Sequence, residues 1–294
     1  MNLAPIGIIT YSRIEHLKKT IESLKNNTLA GESELFLFID GPKKGDEEKV
    51  NVIRKYAEAI NGFKKVCIKS RSANSREENY FEGIGGLLAR YKKVIFLEDD
   101  NVVSSKFLEY MNDGLEFYKY DKSIMAISGY NVSVEFPDSY KYDYYKSTYF
   151  NTWGFATWLD RSTLDIEQAN DQYSEMLKDK ELYKKIKEKH PRLISGLKKI
   201  HEGTLNAGDY KLAFHLIKND LYTIKPIKSF VNNIGHDGSG AHCGINNRFE
   251  NTELNESQIK FEDVDYNKLI DSIYYKHVTK REAILQKIIR KLFG

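Results

Sequence analysis

Three adjacent carboxylates, Glu98-Asp99-Asp100, close the apolar run Val94-Ile95-Phe96-Leu97. Neighbouring like charges oppose one another's ionisation, and a bound cation relieves that conflict. An all-oxygen donor set of this kind suits Mg²⁺ or Mn²⁺, ions that usually also bind substrate phosphates. A solvated acidic turn at the head of the next helix would use the same residues, and the run alone leaves both open. Asp209 is a lone carboxylate much further along, after the glycine-marked turn Leu205-Asn206-Ala207-Gly208 and ahead of a helix expected over residues 210–218. There it can cap that helix or, facing a ligand, take a proton as general base.

Other polar groups stand where chain direction changes. Thr10-Tyr11-Ser12-Arg13 follows a strand and opens a helix, so backbone N–H groups, a hydroxyl and a guanidinium gather at a helix N-terminus, which favours an anion. Ser12 and Glu15 have capping-box spacing. Asp40-Gly41-Pro42 ends a second strand and is also a turn signal. Arg71 and Asn74 belong to the polar loop 71–76, which follows a third. Both tryptophans fall in Asn151-Thr152-Trp153-Gly154-Phe155-Ala156-Thr157-Trp158; aromatic faces suit sugar rings and equally fill cores, and one of the two is expected in the core. The loop 232–243 holds Asn233, Gly235, His236, Asp237, His242 and Cys243. Its spacing matches no zinc pattern, and a loop closing over a bound phosphate fits better.

A frame must position these groups. Apolar runs at 5–9, 35–39, 66–68 and 94–97 alternate with helical periodicity at 14–24, 50–60 and 81–91. Such βα alternation predicts a mostly parallel sheet flanked by helices, with ligands outside the carboxyl ends of its strands. Asp46 is expected to cap the second helix, and Ser104 or Ser105 a later one ahead of a strand at 124–129. After Tyr130 the pattern changes to an aromatic-rich stretch and then to charged helices over 162–201. The expected division is 1–130 as one half of a domain, 131–250 as its other half, and 251–294 as a surface linker and a basic amphipathic C-terminal helix.

Composition bounds the classes. The 294 residues are 41% hydrophobic and 30% charged, ordinary for a globular enzyme. The net charge of +3 is uneven. Lys276, Lys280, Arg281, Lys287, Arg290 and Lys291 stand against Glu282 in the tail, which leaves the remainder slightly acidic and argues against a nucleic-acid surface. Cys67 and Cys243 make no disulfide framework and fit a reducing compartment. Neither a signal peptide nor a membrane-spanning apolar run is legible, so a cytoplasmic chain is expected. The apolar face of the tail, with Ile284, Leu285, Ile288 and Ile289, fits a helix on the anionic inner face of the cell membrane. Packing on its own domain or on a second subunit fits it equally.

The order of these pieces resembles glycosyltransferases of the GT-A fold, in particular bacterial enzymes related to N-acetylglucosaminyltransferase I. The resemblance runs over about residues 4–245 and is carried by Ile-Ile-Thr-Tyr-Ser-Arg, Leu-Glu-Asp-Asp and Phe-Asn-Thr-Trp-Gly-Phe-Ala-Thr-Trp. It implies a Rossmann-like α/β domain that moves a sugar from a nucleotide-diphosphate donor to a glycan or lipid-linked glycan, as in surface-polysaccharide or lipopolysaccharide assembly. It implies that Thr10, Tyr11, Ser12 and Arg13 hold the nucleotide, with Arg71 and Asn74 on the donor side, and that Asp40 meets the base. Glu98 and Asp99 would face the donor, Glu98 at its sugar, and Asp100 would ligate the Mn²⁺ or Mg²⁺. Asp209 matches the family's catalytic base, although Gly208 stands where the family often has Trp. Trp153, Gly154, Asn233 and His242 would line the acceptor side. Rival classes are a sugar-nucleotide nucleotidyltransferase, which would want a glycine-rich loop where Thr10–Arg13 has none, a metal-dependent phosphohydrolase using His236 and His242, and a non-catalytic sugar-binding module.

Overall fold

The computed structural model describes residues 2–161, 171–205, 207–239 and 249–279. Strands Ile6–Thr10 (β1), Glu34–Ile39 (β2), Lys65–Ser70 (β3) and Lys93–Glu98 (β4) pair in parallel. Helices Ile14–Lys25 (α1), Glu47–Glu58 (α2) and Arg76–Tyr91 (α3) connect them. The pleat sends alternate side chains to opposite faces, and the two cores follow that rule. Leu35, Leu37, Ile39, Ile95 and Leu97 pack with α1 and α2, while Phe36, Phe38, Val94 and Phe96 pack with Tyr80, Ile84, Leu87 and Leu88 of α3. The middles of β2 and β4 are therefore apolar on both faces, as a sheet covered on both sides requires, whereas edge strand β3 is polar and largely exposed.

The chain continues through Asn101–Val103 (β5), Phe107–Phe117 (α4), Ile124–Ser128 (β6), Tyr144–Ser147 (β7) and Phe155–Trp158 (β8). Then come Gln172–Lys178 (α5), Lys180–Lys189 (α6), Pro191–His201 (α7), Gly208–Lys218 (α8), Tyr222–Pro226 (β9), Val231–Asn233 (β10) and Lys268–Thr279 (α9). The eight-stranded sheet has the order β3-β2-β1-β4-β8-β6-β9-β7. Strands β7 and β8 run against the rest, and β5 pairs with β10 in a small antiparallel ribbon. The α/β class with a mostly parallel, helix-flanked sheet is as expected.

Several local expectations are corrected. Ser12 caps nothing: Arg13 holds the cap position of α1 without a side-chain bond. Asp46 is not a side-chain cap of α2 either, because its carboxylate accepts from Tyr11 and Lys49 instead. Lys106 stands at the start of α4, with the Ser104 hydroxyl accepting from its N–H at 3.4 Å. Strands β7 and β8 arise in the stretches read only as aromatic-rich. They are short and almost wholly buried, so no polar alternation marked them. Trp158 is the core tryptophan, with the Arg161 guanidinium 3.7 Å over its ring.

Helix α8 is apolar on two sides. Leu212 and Leu216 join the sheet core, whereas Ala213, Phe214 and Ile217 join Met176, Leu182, Ile186, Leu193 and Leu197 of α5–α7. Residues 251–267 carry no helix or strand, yet Asn251, Ile259 and Val264 are buried. Among the described residues no helix is long and apolar enough to cross a membrane. The basic segment after Thr279 lies outside the described residues.

Candidate active site

The adjacent carboxyl ends of β1 and β4 bring Arg13 and the acidic run together. One Arg13 guanidinium nitrogen bridges Asp99 and Asp100, at 2.6 Å from Asp100 Oδ2. Each carboxylate is tied down again from the side. Thr10 Oγ1 donates to Asp99 Oδ2 at 2.9 Å, and Asn101 Nδ2 donates to Asp100 Oδ1 at 2.9 Å. The Thr20 hydroxyl and the Ile234 N–H donate to the carbonyls of Asp99 and Asp100. Burial pulls the Arg13 guanidinium down, but Asp99 and Asp100 outweigh it and hold its pKa above the ordinary arginine value. Burial pushes Asp99 up, and Arg13 opposes the push.

Strand β10 closes this cluster from the other side. Asn233 pairs with Asn101 across the β5–β10 ribbon, and its Oδ1 accepts the Gly235 N–H at 2.8 Å. That turn lays the Gly235 backbone on Asp100: a Cβ there would sit 2.1 Å from Asp100 Oδ2 and 3.0 Å from an Arg13 nitrogen. His236 follows, its ring packed against Trp153 and Phe249 at 5.3 Å from each. Burial lowers its pKa, while the charge of Asp100 acts in the opposite sense.

Glu98 stands apart from the Arg13 pair. Its carboxylate meets Arg76 at 3.1 Å, and its side chain is 17% exposed. Loss of water, then the charges of Asp100, Asp99 and Asp209, raise its pKa to about 8, with Arg76 resisting. Asp209 sits in the first turn of α8, where a carboxylate is favoured by the helix dipole. Its side chain is exposed. Desolvation by nearby protein raises its pKa above the usual carboxylate range, and Arg76 and Lys225 pull it back.

The remaining expected residues fall around this centre or behind it. Tyr11 donates to Asp46 at 2.8 Å and accepts the Lys43 N–H at 2.9 Å; Ser12 is half-buried beside it. Asp40 is buried, with its oxygens taken by the N–H groups of Gly41 and Ser75 and by Asn74 Nδ2. It therefore ties two loops together. The Arg71 guanidinium pairs with Glu78 and Glu82 on α3. Trp153 is partly exposed, edge-on to Tyr130 at 4.8 Å. Gly154 is buried rather than facing the crevice, and its φ of +68° turns the chain into β8. His242 lies outside the described residues. Reasoning from the sequence passed over Arg76, counted only as loop, and Lys225, whose position beside Pro226 hid it from the apolar strand pattern. It also passed over Asp271 and Tyr274, which lie in the segment set aside as linker and tail.

The donor set bears on a metal. Among the described residues no three of His, Cys, Asp and Glu converge to hold an ion unaided. Asp99 and Asp100 offer oxygen donors of the kind Mg²⁺ or Mn²⁺ takes, an ion whose shell water and phosphate usually complete. Arg13 on Asp99 and Asp100 shows that this spot holds positive charge.

No family model matches the sequence, and no curated protein matches it. Among solved structures the chain is similar to S. aureus TarS 1–349, at 13% identity over 56% of this chain and 49% of that one, with a TM-score of 0.36. It is also similar to the same fragment in complex with UDP-GlcNAc, at 15% identity over 47% and 37%, with a TM-score of 0.34. A third is mannosyltransferase PcManGT from Pyrobaculum calidifontis in complex with GDP-Man and Mn²⁺, at 11% identity over 72% and 68%, with a TM-score of 0.41. The chain spans half or less of the length of these TarS fragments.

Proposed function

We propose that this protein is an inverting glycosyltransferase that moves a sugar from a nucleotide diphosphate to a hydroxyl of a glycan or lipid-linked glycan. One observation carries the reading: Asp99 and Asp100 gather on Arg13 at the carboxyl ends of β1 and β4, with Glu98 of the same acidic run held by Arg76. A single crevice then has a cation-binding end, a carboxylic acid that can donate, and a separate carboxylate that can accept a proton. Hydrolysis of a phosphate would need only the first.

The Arg13 end would receive the diphosphate. Backbone N–H groups at the head of α1 and the Arg13 guanidinium suit its charge. A divalent ion on Asp100 would act as a Lewis acid on the leaving diphosphate when bound. Tyr11, Asp40 and Asn74 would shape the rim for the nucleoside, with Ser12 and Arg71 at its edge. Neutral Glu98 would donate to a sugar hydroxyl. Asp209 would take the acceptor hydroxyl's proton as that oxygen attacks the anomeric carbon, and a single base opposite the leaving group gives inversion. Trp153 offers a sugar-stacking face beside His236, and Asn233 fixes the turn that closes on Asp100. UDP-sugars are the first donors to try.

Turnover of a nucleotide-sugar panel with Mn²⁺, with and without glycan acceptors, tests this. Acceptor-dependent release of nucleoside diphosphate is expected. Free sugar without acceptor would favour hydrolysis, pyrophosphate would favour nucleotidyl transfer, and thermal stabilisation without turnover would leave a binding module.

A further inference from the structure

We propose that Arg13 competes with a divalent ion for Asp100, and that a nucleoside diphosphate ends the competition by drawing the guanidinium away. This regulates the site proposed above and rests on its metal, but it is read by binding rather than by turnover.

Both oxygens of Asp100 are taken. Asn101 Nδ2 donates to Oδ1 at 2.9 Å, and Arg13 donates to Oδ2 at 2.6 Å. The same guanidinium nitrogen bonds Asp99 Oδ1, while Asp99 Oδ2 accepts from Thr10. The two carboxylate side chains are only 6% and 8% exposed. From the other side the Gly235 backbone lies over Asp100 Oδ2, leaving no room for even a Cβ. His16 Nε2 and Asp237 Oδ2, 3.1 Å apart, fasten that turn to α1. An ion that reaches Asp100 Oδ2 therefore takes the place of the guanidinium. Mg²⁺ sits about 2.1 Å from its oxygens, so the two cations on one oxygen would repel at close range.

The acids and the guanidinium differ in their freedom to leave. Asp99 and Asp100 follow directly on β4, and their carbonyls are held by Thr20 and by the Ile234 N–H. Arg13 stands at the cap position of α1 with its side chain 22% exposed. Among the described residues the hydrogen bonds of its guanidinium go to these two acids alone. A guanidinium released there stays at the head of α1, where it can fork onto a phosphate. Charge balance favours the same exchange. Arg13 neutralises one of the two acids, and a divalent ion added to the cluster leaves positive charge in excess. A diphosphate offsets that excess, so ion and diphosphate each strengthen the binding of the other.

Mn²⁺ binding to the full chain, read by the electron paramagnetic resonance of the free ion, tests this. Arg13→Met should bind Mn²⁺ alone about tenfold tighter or more than wild type. Arg13→Lys, which keeps a cation against the acids, should stay near wild type. UDP, corrected for the ion it holds in solution, should tighten Mn²⁺ binding more in wild type than in Arg13→Met. Equal or weaker binding of Mn²⁺ alone by Arg13→Met would overturn the competition, and an equal effect of UDP on both would overturn the diphosphate's part. Because Arg13→Met loses a buried ion pair, its melting temperature is a second readout. Mn²⁺ should raise it by more than it raises that of wild type, and an equal rise would also overturn the competition. Mn²⁺-dependent transfer by wild type with no affinity gain in Arg13→Met would leave the proposed activity standing without the exchange. The affinity gain with no transfer from any donor would refute the activity and leave the exchange intact.

Discussion

The two ends of the crevice handle charge in opposite ways. At the β1–β4 end, Arg13 touches Asp99 and Asp100, and Thr10 of β1 and Asn101 of β5 donate to their other oxygens. At the α8–β9 side, Asp209 is exposed in the first turn of α8, while Lys225 is fully buried in β9 under the Tyr274 ring. Contact makes the first end a rigid cradle. On the reading proposed above, the first end would bind the donor and Asp209 would take the acceptor's proton.

The largest effect should come from breaking the cradle. Asp100→Ala should abolish transfer, and EDTA should stop wild-type turnover reversibly; steady-state assays with Mn²⁺ re-addition check both, and full activity in the mutant would remove the metal role. Asp209→Asn should lower kcat by about 10²-fold or more with the donor KM little changed, and an unchanged kcat would move the base elsewhere. Glu98→Gln, which resembles the protonated acid, should hold kcat to within about tenfold. A loss as large as that of Asp209→Asn would mean that Glu98 works ionised.

The smallest effects separate the two ends most cleanly, because they concern stability alone. Arg13→Met strands two buried carboxylates and should cost about 3 kcal/mol in urea unfolding. Lys225→Met replaces a thinly supported buried ammonium with an apolar chain of similar length and should be close to neutral, within about 1 kcal/mol. Equal losses at both would erase the distinction between the two ends.

The cluster of Arg13 with Asp99 and Asp100 was legible because it is local. The acids follow directly on Val94–Leu97, and Arg13 follows directly on β1, so strand ends and residue types sufficed. Asp209 was legible as a helix-start carboxylate, and the resemblance supplied its role. Asp40 and Gly154 read as site residues, yet their side chain and backbone join loops and turn the chain. The sequence marks that a turn is present but not which face of it meets a ligand.

By itself the sequence determined the alternating sheet and helices, the acidic strand end and the Arg13 turn beside it, because periodicity and adjacency are written along the chain. Only the tertiary structure decided that β8 enters antiparallel between β4 and β6, that α8 is held between the sheet and a helical layer, and that α9 returns Asp271 and Tyr274 to Lys225. The physical reason is burial. Whether a lysine at position 225 is a solvated charge or a caged one depends on which distant segments exclude water from it, and no local pattern carries that information.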